Sequence, residues 1–386
     1  MMELQDYRDQ VDEIDRALLA LLEQRMALSQ AIGDYKRERG LPIFQPEREQ
    51  AILDRVELEA GTDGRRLRLL FQTLMDISRS RQTSAAKTTL PAAFGYTMTP
   101  DLLAGTTTLL CQGTEGSFSH QAALRLSPAL PVRFVDTFEE VAAQALQHPS
   151  ALGLLPFDNS TAGSVSDVMQ LLWSSSVTVV GEIELPIVHH LLGFPGTALS
   201  GLARVYSHPQ ALEQSSSFLK RHRLLPVPYW NTALAAEKVA KEKDPVQAAI
   251  ASELSAKRFG LSVLAEGIQN QSDNATRFFL ISGQKLAATA AAKAAAMVAL
   301  PHQPGSLYRL LAQFAAQRLN LTKIESLRIP VAPAGGLVQQ LFYIEVESPP
   351  EHPLLADILL QIAAESSAFR LLGFLQSYTP PPQSGR

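Results

Sequence analysis

Apolar side chains recur at alternating steps of three and four residues along the start of the chain. This heptad pattern predicts one helix over residues 3–39, roughly 50 Å long at about 1.5 Å per residue. Helical spacing also predicts helices over residues 46–60 and 65–84, separated by a glycine-containing turn. The heptad positions of the first helix are Leu4, Tyr7, Val11, Ile14, Leu18, Leu21, Arg25, Leu28, Ile32 and Tyr35.

The pattern changes twice further along the chain. Residues 83–106 are rich in Thr, Ala, Pro and Gly and carry almost no charge, which is typical of a linker. Short apolar strands then alternate with helical segments over residues 107–284, which favours an α/β domain. After an alanine-rich tract at 286–296, the remainder reads strand, helix, strand, strand, helix, strand, the order of a ferredoxin-like domain. The strand candidates of the α/β region are residues 108–111, 151–155, 177–192, 204–206, 248–251 and 277–282.

The composition narrows the class of protein. The chain has 386 residues and a net charge of −4, so it can form several domains and offers no electrostatic attraction to nucleic acid. Cys111 is the only cysteine, which fits a reducing compartment. No apolar run approaches the ~18 residues of a membrane span, and the acidic N-terminal residues do not resemble a signal peptide. We therefore expect a cytoplasmic protein with no membrane or nucleic-acid partner, no metal site and no cofactor.

Polar side chains interrupt the apolar faces of all three predicted helices. Arg25 lies in the middle of the heptad seam, where an unpaired guanidinium would cost several kcal/mol, so we expect it to meet an anion. A helix of this length cannot bury its seam alone, and an antiparallel partner chain would bring Arg8 of one chain near Arg25 and Lys36 of the other. The alternative is a helical adaptor whose seam arginine pairs with a carboxylate or extends to solvent. The other inward polar groups are Arg48, Glu49, Ser78 and Gln82.

Four segments of the α/β region place hydroxyl and amide side chains directly after predicted strands. They are residues 113–120, 156–163, 206–210 with Gln214 a turn later, and 274–278. The first three precede helical patterns, and the N–H groups at a helix N-terminus suit an anion. The alternative for each segment is an ordinary capped turn. The glycine-containing segment is neither a Walker nor a Rossmann fingerprint.

The helical set resembles the all-helical chorismate mutases, which carry these residue types at these spacings. Residues 41–49 are similar to that family's turn into its second helix, with Gln45 where the family often has an acid. The resemblance implies rearrangement of chorismate to prephenate, for which a folded dianion must be held and charge on its ether oxygen stabilised. By resemblance, the substrate-binding residues are Arg8 of the partner subunit, Arg25, Arg48, Glu49 and Ser78, and the donors to the ether oxygen are Lys36 and Gln82.

The four segments together resemble prephenate dehydratase, and the Thr-Arg-Phe triplet at 276–278 is the most specific element. The family's fold has two lobes with the site in the cleft, like a periplasmic binding protein. The implied reaction removes water and carbon dioxide from prephenate to give phenylpyruvate. The chain departs from the family at Asp158, usually Glu, and at Thr114, usually Pro. By resemblance, the catalytic residues are Thr276, Asp158 and Asn159, and the substrate-binding residues are Ser119, Ser207, Gln214 and Arg277.

The tail resembles an ACT domain, the amino-acid-binding module attached to such enzymes. Residues 304–308 stand where the family has Gly-Ala-Leu-Val, and 320–326 are similar to the strand that leads to its Glu-Ser-Arg-Pro motif. Residues 327–330 read Leu-Arg-Ile-Pro, so the motif is broken here. The alternative is a structural dimerisation domain. By resemblance, the residues that bind a phenylalanine effector are Gly305, Ser306, Leu307, Glu325 and Ser326.

The predicted layout is a multidomain chain that forms a homodimer. It has an all-α mutase domain, an α/β two-lobed dehydratase domain and an α+β ferredoxin-like ACT domain. Two alternatives remain: a mutase whose dehydratase-like half is a ligand-binding sensor, and the same chemistry on arogenate or another aminated analogue of chorismate or prephenate. The domains are residues 1–85, 107–284 and 294–380, with linkers at 86–106 and 285–293.

Overall fold

The computed structural model describes residues 3–42, 45–83, 90–328 and 339–378. They fall into two compact units. The first unit comprises Met1–Phe94 and Ala296–Arg370, and the second comprises Gly95–Ala295 and Leu371–Arg386. Some predicted features lie outside the described residues. These are positions 43–44 of the turn before the second helix, 84–89 at the end of the third helix and the start of the first linker, 329–330 of the broken motif, 337–338 of a tail strand, and 379–380 of the tail.

The predicted three-helix arrangement is confirmed, with ends shifted by at most one residue among those described. Pro46 begins the second helix because its fixed φ and missing N–H suit the first helical position. The first and third helices pack closely at Gly33, where an added Cβ would lie 2.9 Å from the side chain of Gln82. The helices are α1 (Leu4–Glu38), α2 (Pro46–Glu59) and α3 (Gly64–Thr83).

The segment predicted as the first linker contains regular structure. A short helix, α4 (Leu90–Phe94), is followed by strand β1 (Thr97–Thr99), which pairs in parallel with Leu286–Ala288 in the second alanine-rich tract. Ala287 and Ala288 are fully buried there. Burial explains the low charge of the second tract, and both segments predicted as linkers contain regular secondary structure.

The second unit contains two lobes, each built on a sheet. In the first lobe β2 pairs in parallel with β3 and β4, and β5 pairs with the end of β4. The elements of this lobe are β2 (Thr108–Gln112), α5 (Phe118–Leu126), β3 (Val132–Val135), α6 (Phe138–Gln147), β4 (Ala151–Asn159), β5 (Gly163–Ser164), α7 (Ser166–Ser174) and β6 (Thr178–Pro186).

The other lobe holds a five-stranded sheet in the order β11-β7-β10-β8-β9. The single strand predicted over 177–192 is two strands, one in each lobe, because a continuous apolar run does not reveal where the chain crosses between sheets. The elements of this lobe are β7 (His190–Gly193), β8 (Arg204–Ser207), α8 (Pro209–Gln214), α9 (Ser216–Arg221), β9 (Leu225–Pro228), α10 (Thr232–Glu242), β10 (Gln247–Ala251), α11 (Glu253–Phe259) and β11 (Ser262–Ala265).

The chain then returns to the first lobe. Strand β12 (Ala275–Ser282) lies antiparallel between β4 and β6, and β13 (Leu286–Ala288) is the partner of β1. The register of β12 opposes Thr276 to Asn159 and Arg277 to Asp158. This pairing places the Thr-Arg-Phe triplet beside the end of β4.

The tail has the predicted order of elements. Its strands lie in the order β15-β16-β14-β17. The second unit begins again at Leu371, and Gly373 to Tyr378 pair in parallel with β6 there. The elements are β14 (Lys293–Pro301), α12 (Ser306–Ala316), β15 (Asn320–Leu327), β16 (Gln339–Glu347), α13 (Pro353–Glu365) and β17 (Ala368–Tyr378).

A buried ion cluster lies in the first unit between α3 and α13. The Arg79 side chain, 7% exposed, forms ion pairs with Asp76 and Glu49, and its Nε lies 2.7 Å from Glu365 Oε1. Three carboxyl groups thus surround one guanidinium. Burial, reinforced by the charges of Glu365 and Glu49 and opposed by Arg79, raises the pKa of Asp76 to about 6.

Asp76→Asn should stabilise the protein at pH 8 and have little effect at pH 3.5. An acid whose folded pKa is raised binds its proton more tightly when folded, so stability falls as pH rises from about 4 to 6 and stays reduced above that range. Asparagine removes the ionisation. Since one pKa unit corresponds to about 1.4 kcal/mol, the gain at pH 8 should reach up to about 3 kcal/mol.

Thermal unfolding of the parent and the variant at both pH values measures this difference. Asp63→Asn is the matched control, because Asp63 is exposed and its ion pair with Arg66 lies at the surface. An equal gain at both pH values would contradict the burial of an ionising carboxyl group at Asp76.

Candidate active sites

The first candidate site is a cavity of about 230 Å³ within the helices of the first unit. Six of the seven residues predicted for this site from the sequence line it: Arg25, Lys36, Arg48, Glu49, Ser78 and Gln82. The cavity is also lined by Ser29, Ile32, Gln45, Ile52, Met75 and Arg79.

Helix α3 holds Arg25 in place. Arg25 Nη1 donates hydrogen bonds to Leu74 O at 3.1 Å and to Ser78 Oγ at 2.5 Å. Ser78 Oγ in turn donates to Leu74 O at 2.7 Å. The guanidinium is therefore oriented before any ligand arrives, which lowers the entropic cost of binding a carboxylate.

The cavity concentrates positive charge. Burial lowers the pKa of Lys36, the charge of Arg48 lowers it further, and Glu49 opposes both. Burial likewise lowers the pKa of Arg25, again opposed by Glu49. Cations that disfavour one another in a partly buried space are stabilised when a dianion enters, so the electrostatics of this cavity favour an anionic ligand.

Gln82 supplies an amide group at the cavity wall. It is 8% exposed, and no described residue hydrogen-bonds to its Oε1. A buried amide end without a partner costs free energy unless a ligand or water completes it. Oxygen and nitrogen of such an amide interchange by rotation of the group, so Gln82 can donate or accept toward a ligand.

Arg8 does not reach this cavity within one chain. It is exposed on α1, together with the heptad seam predicted from the sequence. The nine apolar seam residues are 45–66% exposed. An apolar stripe of this length on one chain is typical of an interface with another helix.

Arg79 is the principal residue of this cavity that the sequence pattern did not reveal. It follows Ser78 directly and lies off the apolar stripe of α3. Its partner Glu365 lies 286 positions further along the chain, so no local spacing indicates the pair.

The second candidate site is a cleft of about 240 Å³ between the two lobes of the second unit. Four residues predicted for the second site lie here: Ser119, Asn159, Gln214 and Thr276. The cleft is also lined by Gln112, Phe118, Pro156, Ile187, His189, His208, Gln210, Ala211, Asn231, Thr232 and Phe278.

Thr276 is positioned by a network of amide groups. Asn159 Nδ2 donates to Thr276 Oγ1 at 3.0 Å and to Asn274 Oδ1 at 2.8 Å. Gln214 Nε2 donates to Thr161 Oγ1 at 2.6 Å, and Thr161 donates to Asn159 Oδ1. Because Thr276 Oγ1 is used here as an acceptor, its hydroxyl hydrogen is oriented for donation elsewhere.

His189 is a cleft residue that the sequence did not assign to the site. It is 2% exposed, its Nε2 lies 2.9 Å from Gln214 Oε1, and no described residue hydrogen-bonds to its Nδ1. Burial lowers its pKa, opposed by the hydrogen bond to Gln214. The imidazole is therefore held neutral in the cleft.

Asp158 and Arg277 are not brought into the cleft, which corrects their predicted placement. Successive residues of a strand point to opposite faces, so they lie opposite Asn159 and Thr276. Arg277 Nη1 lies 3.0 Å from Glu182, its Nη2 lies 3.8 Å from Asp158, and its guanidinium stacks over Phe157 at 4.9 Å.

Ser207 is also placed away from the cleft. It is fully buried, and its hydroxyl donates to Ile250 O at 2.6 Å in the neighbouring strand. Ser207 is the last residue of β8, and its hydroxyl links this strand to the neighbouring one. The sequence shows where a strand ends, but it does not show which side chain at that end faces the cleft and which faces the core.

The residues predicted to bind an effector occupy two places in the tail. Gly305, with φ of +84°, caps the N-terminus of α12, and Ser306 Oγ accepts a hydrogen bond from Arg309 at 3.2 Å. Leu307 follows in the first turn of this helix. Glu325 and Ser326 are consecutive on β15 and so point to opposite faces.

No group of three or more His, Cys, Asp or Glu side chains in the described part of the chain is arranged to hold a metal ion. None of the helices in that part is long and apolar enough to cross a bilayer.

The first cavity and the second cleft each lie within one family match. Residues 7–83 match chorismate mutase type II, and residues 109–286 match prephenate dehydratase. A bifunctional chorismate mutase/prephenate dehydratase from Pseudomonas aeruginosa is 30% identical over 386 residues, covering 96% of this chain and 97% of that protein.

Two solved structures resemble more than two thirds of this chain. A prephenate dehydratase from Arthrobacter aurescens, in complex with L-Phe, is 28% identical with a TM-score of 0.63 and covers 72% of this chain and 94% of its own. A structure described as a novel type of quorum-quenching acylase is 29% identical with a TM-score of 0.63, covering 70% of this chain and 98% of its own.

The similarity to the Pseudomonas aeruginosa protein extends over nearly all of both chains, and each family match contains one of the two clefts. This chain therefore belongs to the bifunctional chorismate mutase/prephenate dehydratase family.

Proposed function

We propose that this chain converts chorismate to prephenate in the first cavity and prephenate to phenylpyruvate in the second cleft. The observation that carries the first step is the convergence of Arg25, Lys36 and Arg48 with Glu49 in one cavity. Membership in this family favours two enzymatic activities in one chain over the alternative of a mutase whose dehydratase-like half is a ligand-binding sensor. One assay of chorismate turnover that follows both products tests both steps.

The mutase step needs shape and charge rather than a nucleophile. Arg25 and Arg48 bind the carboxylates of the dianion, and Glu49 accepts a hydrogen bond from its hydroxyl. Lys36 and Gln82 donate to the ether oxygen, where negative charge grows as the carbon–oxygen bond breaks. Donors aimed at developing charge stabilise the transition state more than the ground state, and that difference accelerates the reaction.

The exposed seam of α1 supports a homodimer in which two α1 helices pack antiparallel. Burying nine large apolar side chains on each chain would be strongly favourable at about 1.5–3 kcal/mol per fully buried side chain. The same arrangement brings Arg8 of the partner subunit to the cavity. Each mutase site then contains residues of both chains.

Arg25→Ala should abolish chorismate consumption and leave the protein folded and dimeric. The substitution removes the oriented guanidinium that binds substrate carboxylate. Chorismate turnover, size-exclusion chromatography and thermal unfolding measure the outcome. Arg16→Ala, an exposed arginine of the same helix, is the control. Near-parental turnover by a folded Arg25→Ala protein would assign Arg25 a structural role.

Mixing Arg8→Ala and Arg25→Ala chains after reversible dissociation tests the shared site. A mixed dimer has one site with both arginines intact, so random mixing should restore about a quarter of the parental activity. Absence of any recovery, with mixed dimers present by mass, would place Arg8 outside the partner's site.

The dehydratase step needs a proton for the leaving hydroxyl and a poorly solvated carboxylate. Thr276, oriented by Asn159, donates its hydroxyl hydrogen bond to the departing ring hydroxyl. The electron pair of the breaking carbon–carboxylate bond completes the aromatic ring, carbon dioxide leaves, and the departing hydroxyl takes up one proton from solvent and leaves as water. Among the described residues that line the cleft there is no Lys or Arg, so no cation holds the carboxylate that must lose its charge.

The pyruvyl carboxylate of prephenate still needs a binding site. The N-terminal residues of α5 and α10 line the cleft through Ser119, Asn231 and Thr232. Helix N-termini bind anions through their N–H groups and dipoles. These positions therefore supply the anchoring charge without a side-chain cation.

Thr276→Val should stop phenylpyruvate formation and leave chorismate turnover intact. Valine keeps the shape and removes the donor, and the expected loss is ~10²-fold or more. Prephenate accumulation measured beside phenylpyruvate reports the effect. Thr289→Val, at an exposed threonine of the same unit, is the control. Parental conversion of prephenate by Thr276→Val would refute this role.

The tail is proposed to be an ACT domain that follows a helical mutase domain and a two-lobed dehydratase domain. Its βαββαβ order supports this assignment. The Arthrobacter aurescens protein binds L-Phe, which supports a phenylalanine effector for the family's architecture. A homodimer would pair two such tails.

Phenylalanine should inhibit the dehydratase of this chain weakly or not at all. The family motif has one residue between its serine and its proline, whereas three residues separate Ser326 from Pro330 here, so Arg328 is displaced by one position. In a strand, a displacement by one residue reverses the face to which a side chain points. Calorimetric titration with L-phenylalanine, beside a dehydratase inhibition curve, measures the outcome. D-phenylalanine is the control for unspecific heat. Tight binding with strong inhibition at low concentration would contradict the expectation.

A further inference from the structure

Arg79 connects the first cavity to the tail within the first unit. Its three nitrogens face three different carboxyl groups: Nη1 faces Glu49, Nη2 faces Asp76, and Nε faces Glu365. A planar guanidinium held on three edges has one orientation. That orientation directs Nη1 at the Glu49 carboxylate, which lines the cavity.

Glu365 is itself fixed by the tail. It is the last residue of α13, and Gln361 Nε2 donates to its Oε1 at 2.9 Å. Gln313 Nε2, on α12, lies 3.4 Å from its Oε2. Two tail helices therefore hold the carboxyl group that holds Arg79.

The charge of Glu49 makes this arrangement important for the cavity. Without Arg79, the Glu49 carboxylate would be drawn toward the cations of the cavity, chiefly Arg25 and Lys36, which a dianionic substrate also needs. It would then compete with the substrate and repel it. Arg79 neutralises Glu49 and keeps it against the wall.

We propose that Arg79 is a positioning residue that sets the place and charge of Glu49, and that Glu365 of the tail fixes Arg79 for this purpose. Binding of chorismate thus depends on the tail helices. This inference rests on the mutase activity proposed above. It adds to that proposal a residue outside the set that contacts substrate and a route from the tail to the site.

The test is a double-mutant cycle in the full chain with chorismate as substrate. Glu365→Ala and Arg79→Met should each raise KM about tenfold and change kcat little, since Glu49 contacts the substrate hydroxyl before and during the reaction. The double variant should be no worse than Arg79→Met alone, because Glu365 acts only through Arg79. Glu365→Gln, which keeps an acceptor for Arg79 Nε, should have a smaller effect than Glu365→Ala.

Two controls separate this role from a structural one. Glu351→Ala removes the same charge from an exposed position of the tail and should leave KM unchanged. Arg79→Lys should not restore KM, because one ammonium group cannot face three carboxyl groups. Thermal unfolding and dehydratase activity report whether each variant is folded. If Glu365→Ala does not fold, Glu365→Gln takes its place in the double-mutant cycle.

The outcomes are distinct. A parent chain that does not consume chorismate refutes the mutase proposal itself. An active parent whose KM responds no more to Glu365→Ala than to Glu351→Ala refutes only the present inference. Equal effects of Glu365→Ala in the parent and in the Arg79→Met background would also refute it, because the two residues would then act independently.

Discussion

Arg25, Lys36 and Arg48 line one cavity within a helical bundle, where Arg25 and Lys36 have lost part of their hydration. Burying a charge is costly unless an opposite charge or a set of hydrogen bonds accompanies it. One carboxylate, Glu49, cannot balance three cations, and Glu49 is already paired with Arg79. The described residues that line the cavity therefore carry more positive than negative charge, which favours a dianion as ligand. The helices α1, α2 and α3 are folded around this positively charged cavity.

The same constraint extends outward to Arg79. Its three carboxyl partners carry more negative charge than one guanidinium can balance, and burial, reinforced by the charges of Glu365 and Glu49, raises the pKa of Asp76 to about 6. The cluster keeps Glu49 away from the cations of the cavity. Because Glu365 comes from the tail, the balance of charge at the first site depends on a segment nearly three hundred positions away in sequence.

Local periodicity predicted much of this architecture. The helices α1 to α3 and the order of the tail elements follow from apolar spacing, and the residues on the inward helix faces identify the first cavity. In the second unit the sequence identified the segments that follow the strands, but it did not show which of their side chains face the cleft. Asp158 and Arg277 are adjacent in sequence to Asn159 and Thr276, and only the register of β12 shows which pair faces the cleft. The buried alanines of β13 looked like a linker because small uncharged residues occur in both settings.

The two sites treat a carboxylate in opposite ways, and the chemistry requires the difference. In the first reaction both carboxylates survive, so the cations that we propose to bind them, such as Arg25, lower the energy of substrate and transition state without blocking the rearrangement. In the second reaction one carboxylate leaves as neutral carbon dioxide. A cation at that carboxylate would stabilise the charge that must disappear and would raise the barrier. Strand alternation turns Arg277 away to Glu182, so the cleft keeps amides, a threonine and a neutral His189. The sequence did not reveal that Arg277 lies on the strand face opposite the cleft. That position leaves the carboxylate without an arginine beside it, as decarboxylation requires.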